Sequence, residues 1–207
     1  METEIKCDAK NEALLEKRHR LIAEAAAPLF IKKGFHQTTM REIARAVGMS
    51  MGNLYHYINS KDDVLFLVYQ ELYSKWETRL EKFDVKNIED PIEKLRLLML
   101  SMLRAAYDFK DMTQMTFRES KFLEKSALKQ ILSIESKFIS AFVEVVGEGI
   151  EKGVFKDVNP TIIGNFIAYN TFFYPLRNWF FNNRFSFEEV EKEIMDFTLG
   201  AILKDSK

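Results

Sequence analysis

The chain has 207 residues, 47% of them apolar and 29% charged, and a net charge of −1. That length fits one large domain or two small ones with a substantial core. Eight glycines and four prolines are too few for a many-turned β architecture. No apolar run approaches the roughly 18 residues that would cross a bilayer.

The opening METEIKCDAKNEALLEKRH is charged and has no apolar h-region, so it is not read as a secretory signal. Residues 1–13 are expected to form a flexible tail. A lone Cys7 excludes a disulfide framework and points to a reducing cytoplasm. From Leu14 to Lys33, apolar residues at Leu14, Leu21, Ile22, Ala25, Ala26, Leu29 and Phe30 recur at helical spacing, and Gly34 supplies a stop. Thr38 or Thr39 caps a short helix to about Val47, with Glu42 in capping-box position. Gly48 ends it, and Ser50 caps the next helix, to about Tyr57. Ser60 with Asp63 three residues later opens a longer helix through about Leu80. Beyond Pro91 the pattern predicts helices near 91–109, 112–123, 126–151, 160–182 and 187–203. The expected fold is all-α with about nine helices.

Charge is unevenly spread along this order. Residues 10–61 hold nine Lys/Arg and four Asp/Glu, a net +5, whereas residues 62–207 hold 20 and 24, a net −4. A basic first quarter on an acidic remainder fits a nucleic-acid-binding head on a body with another task.

The segment TTMREIARAVGMSMGNLYHYINSKDDVL (Thr38–Leu65) reads as two short helices crossing at a glycine turn. Ala44 is small where they approach, and Gly48 tolerates the turn conformation. Ile43, Val47, Met49, Leu54 and Ile58 are expected to face inward. Ser50, Met51, Gly52, Asn53, Tyr55, His56 and Tyr57 are left outward, on a helix that fits the major groove.

With its flanks, FIKKGFHQTTMREIARAVGMSMGNLYHYINSKDDVLFLVY resembles the TetR-type helix-turn-helix over about residues 15–75. The hallmarks are the F-x-x-x-G-F ending of the first helix, Thr38-Thr39, G-N-L-Y and the Ser60-Lys61 pair. The one departure is Ile58, where Phe is commoner. The resemblance implies a DNA-binding domain at 14–60, with its motif at about 39–58, and a connecting helix at 61–85. A ligand-binding and dimerisation domain follows at 86–207. It places Thr38, Thr39 and Arg41 among the phosphate and base contacts, and Ser50, Met51, Gly52 and Asn53 at the base-reading start. Tyr55, His56 and Tyr57 pack on the sugar-phosphate backbone, and Lys61 acts as a phosphate clamp.

For the body, the resemblance implies a pocket and a four-helix bundle across a twofold axis. Nine Met and 18 Phe in 207 residues are a high load, and methionine suits adaptable apolar sites. Pocket candidates are Met99, Met102, Leu103, Tyr107, Met112, Met115, Phe117, Phe138, Phe142, Phe166, Tyr169, Asn170 and Phe173. Candidates for the dimer interface are Phe172, Trp179, Val190, Ile194, Phe197 and Gly200. Thr161–Phe181 is apolar on nearly every face, so it must be buried on more than one side.

The expected protein is therefore a cytoplasmic, ligand-responsive repressor. It binds double-stranded operator DNA as a homodimer and is released by an apolar small-molecule effector of fatty-acid or acyl-CoA type. A multidrug-type apolar or cationic effector, and an activator, are the alternatives. No membrane partner or cofactor is expected. His19, His36 and His56 all lie in the head without metal-ligand spacing, and neither G-x-x-x-x-G-K-[ST] nor G-x-S-x-G occurs. No catalytic or metal-binding residues are expected.

Overall fold

The computed structural model describes residues 12–81 and 87–204. Most of the expected tail, and residues 82–85 of the expected connecting helix, lie outside them. The described residues form eleven α-helices and one short 3₁₀ turn, and their only β feature is an isolated antiparallel bridge between Phe155 and Leu203. The helices are α1 (Glu12–Lys33), α2 (Met40–Val47), α3 (Met51–Tyr57), α4 (Lys61–Glu81), α5 (Pro91–Asp108), α6 (Lys110–Glu119), α7 (Lys125–Glu151), α8 (Pro160–Asn170), α9 (Phe173–Leu176), α10 (Asn178–Phe181) and α11 (Phe187–Ile202).

The chain divides into two compact units. The first comprises the residues up to Ser74 together with Gln114–Ser133; the second comprises Lys75–Thr113 and Ile134–Lys207. The division therefore falls inside α4, α6 and α7, and not in a linker.

In the first unit, local chemistry sets each short helix. Thr39 caps α2: its hydroxyl accepts from the Glu42 N–H while the Glu42 carboxylate accepts from the Thr39 N–H, a complete capping box. Gly48 closes α2 at φ +78°, a left-handed conformation that costs a β-carbon-bearing residue roughly 1–2 kcal/mol. Ser50 caps α3 by accepting from the Asn53 N–H at 3.2 Å. Asp63 accepts from the Asn59 and Ser60 N–H groups ahead of α4. Ile22, Ala26, Phe30, Ile43, Leu54, Ile58, Val64 and Leu65 are buried together as the core.

The second unit is built on Leu95, Met99, Met102, Leu103, Phe142, Val146, Phe155 and Ile167, all buried. Asp90 and Asn159 cap α5 and α8, each with proline at the first helical position. At Gly164 an added Cβ would stand 2.7 Å from the Val143 backbone, so only glycine permits this approach of α8 to α7. Arg104 grips Glu191 with two hydrogen bonds of 2.9 and 3.1 Å, tying α5 to α11. Lys156 N–H donates to the Ile202 carbonyl and Lys204 N–H to the Val154 carbonyl, which fastens the end of the chain to the loop before α8.

One expected element is corrected. The helix read as continuous from 160 to 182 is three pieces, α8, α9 and α10. Pro175 lacks the N–H that a continuous helix would give to the residue-171 carbonyl, and its ring clashes there. Thr171 turns its hydroxyl to the Ala168 carbonyl at 2.7 Å, and the chain bends.

Candidate functional site

The first unit presents one polar face above its apolar core. Thr39, Arg41, Ser50, Gly52, Asn53, Tyr55 and His56 are exposed on it, and Met51 is partly exposed. The period of helix α3 decides this: Leu54, Tyr57 and Ile58 turn inward against α1, so the residues between them must turn out.

Of the residues nominated from sequence, Thr38 and Tyr57 are buried, and Lys61 is half-buried with its ammonium group on backbone carbonyls. Thr38 is only 1% exposed, and its hydroxyl donates to the Leu29 and Gly34 carbonyls at the end of α1. Tyr57 is buried, and its carbonyl accepts from His19 Nε2 at 3.0 Å. Lys61 Nζ donates to the carbonyls of His36 and Thr38 at 3.2 and 3.0 Å, and it stands 4.5 Å above the Phe35 ring. Lys61 therefore ties the start of α4 to the turn before α2, and it holds the backbone that carries Thr39 and Arg41.

That turn is gripped a second time from far along the chain. Phe122, in the 3₁₀ turn Ser120–Phe122, stacks on Phe35 at 5.8 Å and meets the His36 ring edge-on at 4.0 Å. Arg118 pairs with buried Glu119 and reaches the Phe30 carbonyl, and the Tyr69 hydroxyl donates to the Thr116 carbonyl. Sequence reading missed this contact because its partners lie more than eighty residues apart, with no periodicity linking them.

Glu42 is the strongly perturbed acid of this face. Its hydrogen bond from Lys33, then those from the Thr39 N–H and hydroxyl, lower its pKa to about 2. A depressed folded-state pKa contributes stability above the ordinary carboxylate value, and that contribution is lost as pH falls towards 2. Wild type should therefore melt above Glu42→Gln at pH 6, the gap closing between about pH 4.5 and 2. Thermal denaturation at stepped pH measures it; a gap that persists at pH 2 would assign the effect to packing.

The nominated pocket residues take different settings. Met99, Met102, Leu103, Met112 and Phe142 are buried in the core of the second unit, and Tyr107 stacks on Phe187 at 4.0 Å. Phe138 meets Trp76 edge-on, whereas Met115 and exposed Phe117 belong to the first unit. Phe166, Asn170 and Phe173 line an open groove of about 410 Å³ together with Phe181, Phe185, Glu189, Val190, Glu193, Ile194, Phe197 and Thr198. Tyr169 is exposed.

The nominated interface residues Val190, Ile194 and Phe197 thus line the same groove. Phe197 and Trp179 are 74% and 73% exposed, and Gly200 is exposed with open space about its Cβ position. Phe172 instead faces inward, 5.1 Å from the Trp76 ring. On α8 and just beyond it, Ile162, Phe166, Tyr169 and Phe173 form an exposed apolar stripe at helical spacing. Among the described residues, no group of three or more His, Cys, Asp or Glu could hold a metal ion, and no helix is long and apolar enough to cross a membrane.

Comparison with known proteins bears on both units. Residues 22–68 match the family described as bacterial regulatory proteins, tetR family, and residues 89–202 match the tetracyclin repressor-like C-terminal domain. The transcriptional regulator HbdR of Aromatoleum sp. is 25% identical over 91% of this chain and 82% of its own length. A fatty acid metabolism regulator protein of Bacillus subtilis is 22% identical over 89% and 95%. The structure of AibR in complex with isovaleryl coenzyme A and operator DNA aligns with a TM-score of 0.74 at 24% identity, covering 87% of this chain and 97% of AibR.

Proposed function

Because this chain belongs to the TetR family of bacterial regulatory proteins, ligand-responsive regulators of transcription, we propose that it is a cytoplasmic repressor. It acts as a homodimer joined through α8 and α11, and an apolar acyl effector releases it from operator DNA. The observation that carries the DNA reading is the exposed face of Thr39, Arg41, Ser50, Gly52, Asn53, Tyr55 and His56 over a largely apolar core. Short polar and aromatic side chains there match base edges, thymine methyls and the sugar-phosphate backbone. Thr38, Tyr57 and Lys61 serve that face from beneath by fixing its backbone.

Dimerisation follows from the exposed stripes. Ile162, Phe166, Tyr169 and Phe173 on one side and Phe197 on the other are exposed apolar side chains beside the groove that half-buried Ile194 and buried Val190 line. Contiguous apolar surface of this kind supports burial against a partner. A second copy, related by a twofold axis, covers it with the same residues.

The effector class is supported by the phenylalanine-rich second unit, and by relatives whose names or complexes concern fatty acids and an acyl coenzyme A. A cationic apolar effector is the second reading, because the charged groups lining the groove are the carboxylates Glu189 and Glu193. Linkage requires the effector to favour the DNA-free protein by the same factor by which it weakens DNA binding. Titrating fatty acids, acyl coenzyme A thioesters and lipophilic cations into the protein–DNA complex, with calorimetry on free protein, separates the two. Release by acyl compounds alone supports the first reading. Release by cations alone replaces it with the second, and no release by either sinks both.

A further inference from the structure

The positive charge of the DNA-facing unit does not come only from its helix-turn-helix. Gln114–Ser133 packs in that unit and carries four Lys/Arg against two Glu, within a remainder of the chain (62–207) that holds 20 against 24. Arg118 is paired with Glu119, which leaves Lys121, Lys125 and Lys129 against Glu124. All three lysines are exposed, and none makes an ion pair among the described residues.

Their placement follows from the packing of this stretch. Leu123, Ala127 and Ile131 form its buried stripe. Residues 125 and 129 stand about half a turn away from that stripe, one above the other on the outer side of α7. Lys121 Nζ lies 5.0 Å above the ring of Phe122, and that ring touches His36, three residues before Thr39. The lysines thus begin one aromatic contact away from the start of α2.

Meanwhile the head's own cations are partly committed. Lys33 pairs with Glu42, Arg20 with Glu71, and Lys61 with two carbonyls. The exposed cations of α1 and α2 that remain without an ion pair are Lys17, Lys32, Arg41 and Arg45.

We propose that Lys121, Lys125 and Lys129 form an accessory phosphate-binding strip, through which the protein touches the DNA backbone beyond the base pairs read by α3. The proposal rests on the DNA-binding reading and extends its footprint. The strip carries no sequence information; it adds affinity by releasing counterions, and it fixes how the flanking duplex lies against the protein.

The test replaces all three lysines with glutamine in the full-length protein and uses a duplex selected by the wild type from random sequence. Each phosphate contact contributes about 0.9 to the slope of log affinity against log salt. The variant dimer should therefore lose about 2–5 from that slope and keep the wild-type sequence preference. Trimming the duplex flanks should weaken the wild type and leave the variant nearly unchanged. An unaltered slope together with equal sensitivity to trimming overturns the strip. Circular dichroism and sedimentation confirm that the variant is folded and assembled as the wild type is. If the wild type itself selected no duplex, the DNA-binding reading would fall, a result distinct from failure of the strip.

Discussion

Phe197→Glu is expected to yield a folded monomer that has lost most of its affinity for DNA. Phe197 is three-quarters exposed on α11, beside the groove that Val190 and Ile194 also line. Replacing it removes nothing from the core of the single chain, so helicity and melting of the monomer should be unaffected. In the proposed twofold dimer, by contrast, each new carboxylate would be buried against an apolar partner surface, near its own copy. An unpaired buried charge is far costlier than the few kcal/mol of a lost side-chain contact. Losing the second head removes the intramolecular second binding event, which is worth about 10²–10⁴ in affinity. Sedimentation and anisotropy titration measure the two effects. Ile194→Glu should behave alike, with some loss of stability because Ile194 is already half-buried. A variant that stays dimeric would move the interface off α8 and α11.

Gly52→Ala should separate stability from function with opposite signs. Gly52 is the second residue of α3, exposed, and a Cβ built on it would meet nothing within 4 Å. Gly164 shows the contrast, since its neighbour across α7 leaves no room for a side chain. Glycine in a helix weakens it by roughly 0.5–1 kcal/mol relative to alanine, so Gly52 serves no purpose within the folded chain. We attribute it to close approach of the DNA. The alanine variant should melt at the wild-type temperature or above it. A methyl group at that approach forces the helix back from the groove and strains the neighbouring base contacts, which cost about 1–3 kcal/mol for each pair lost. DNA affinity should fall by about tenfold or more. Unchanged affinity would show that Gly52 does not meet the duplex.

The ends of the short helices were legible because they are local. Thr39 with Glu42, Gly48, and Ser50 each act within three or four residues, and each stands where the sequence placed it. The inward face of α3 was legible for the same reason, except at Tyr57. Its aromatic ring reads equally well as a backbone contact or as core, and only packing against α1 assigns it to the core.

What the sequence could not fix was which distant residues meet. Lys61 reads as a free cation at a helix start, but the fold delivers the His36 and Thr38 carbonyls to its ammonium group. Phe122 reads as an ordinary apolar residue of the body, yet it closes on the turn before α2, within a stretch that places three lysines in the first unit. The pocket and interface candidates were chosen by residue type, and type alone does not distinguish Met99 in the core from Phe166 on the open groove. The sequence by itself determined the all-helical class, the caps and the polar face of the head, because these depend on hydrogen bonds and periodicity within a turn or two of helix. Tertiary structure decided the partners of Lys61 and the seat of Phe122, and it put Phe166, Asn170 and Phe173 on one groove with Val190, Ile194 and Phe197, because those depend on contacts between residues far apart in the chain.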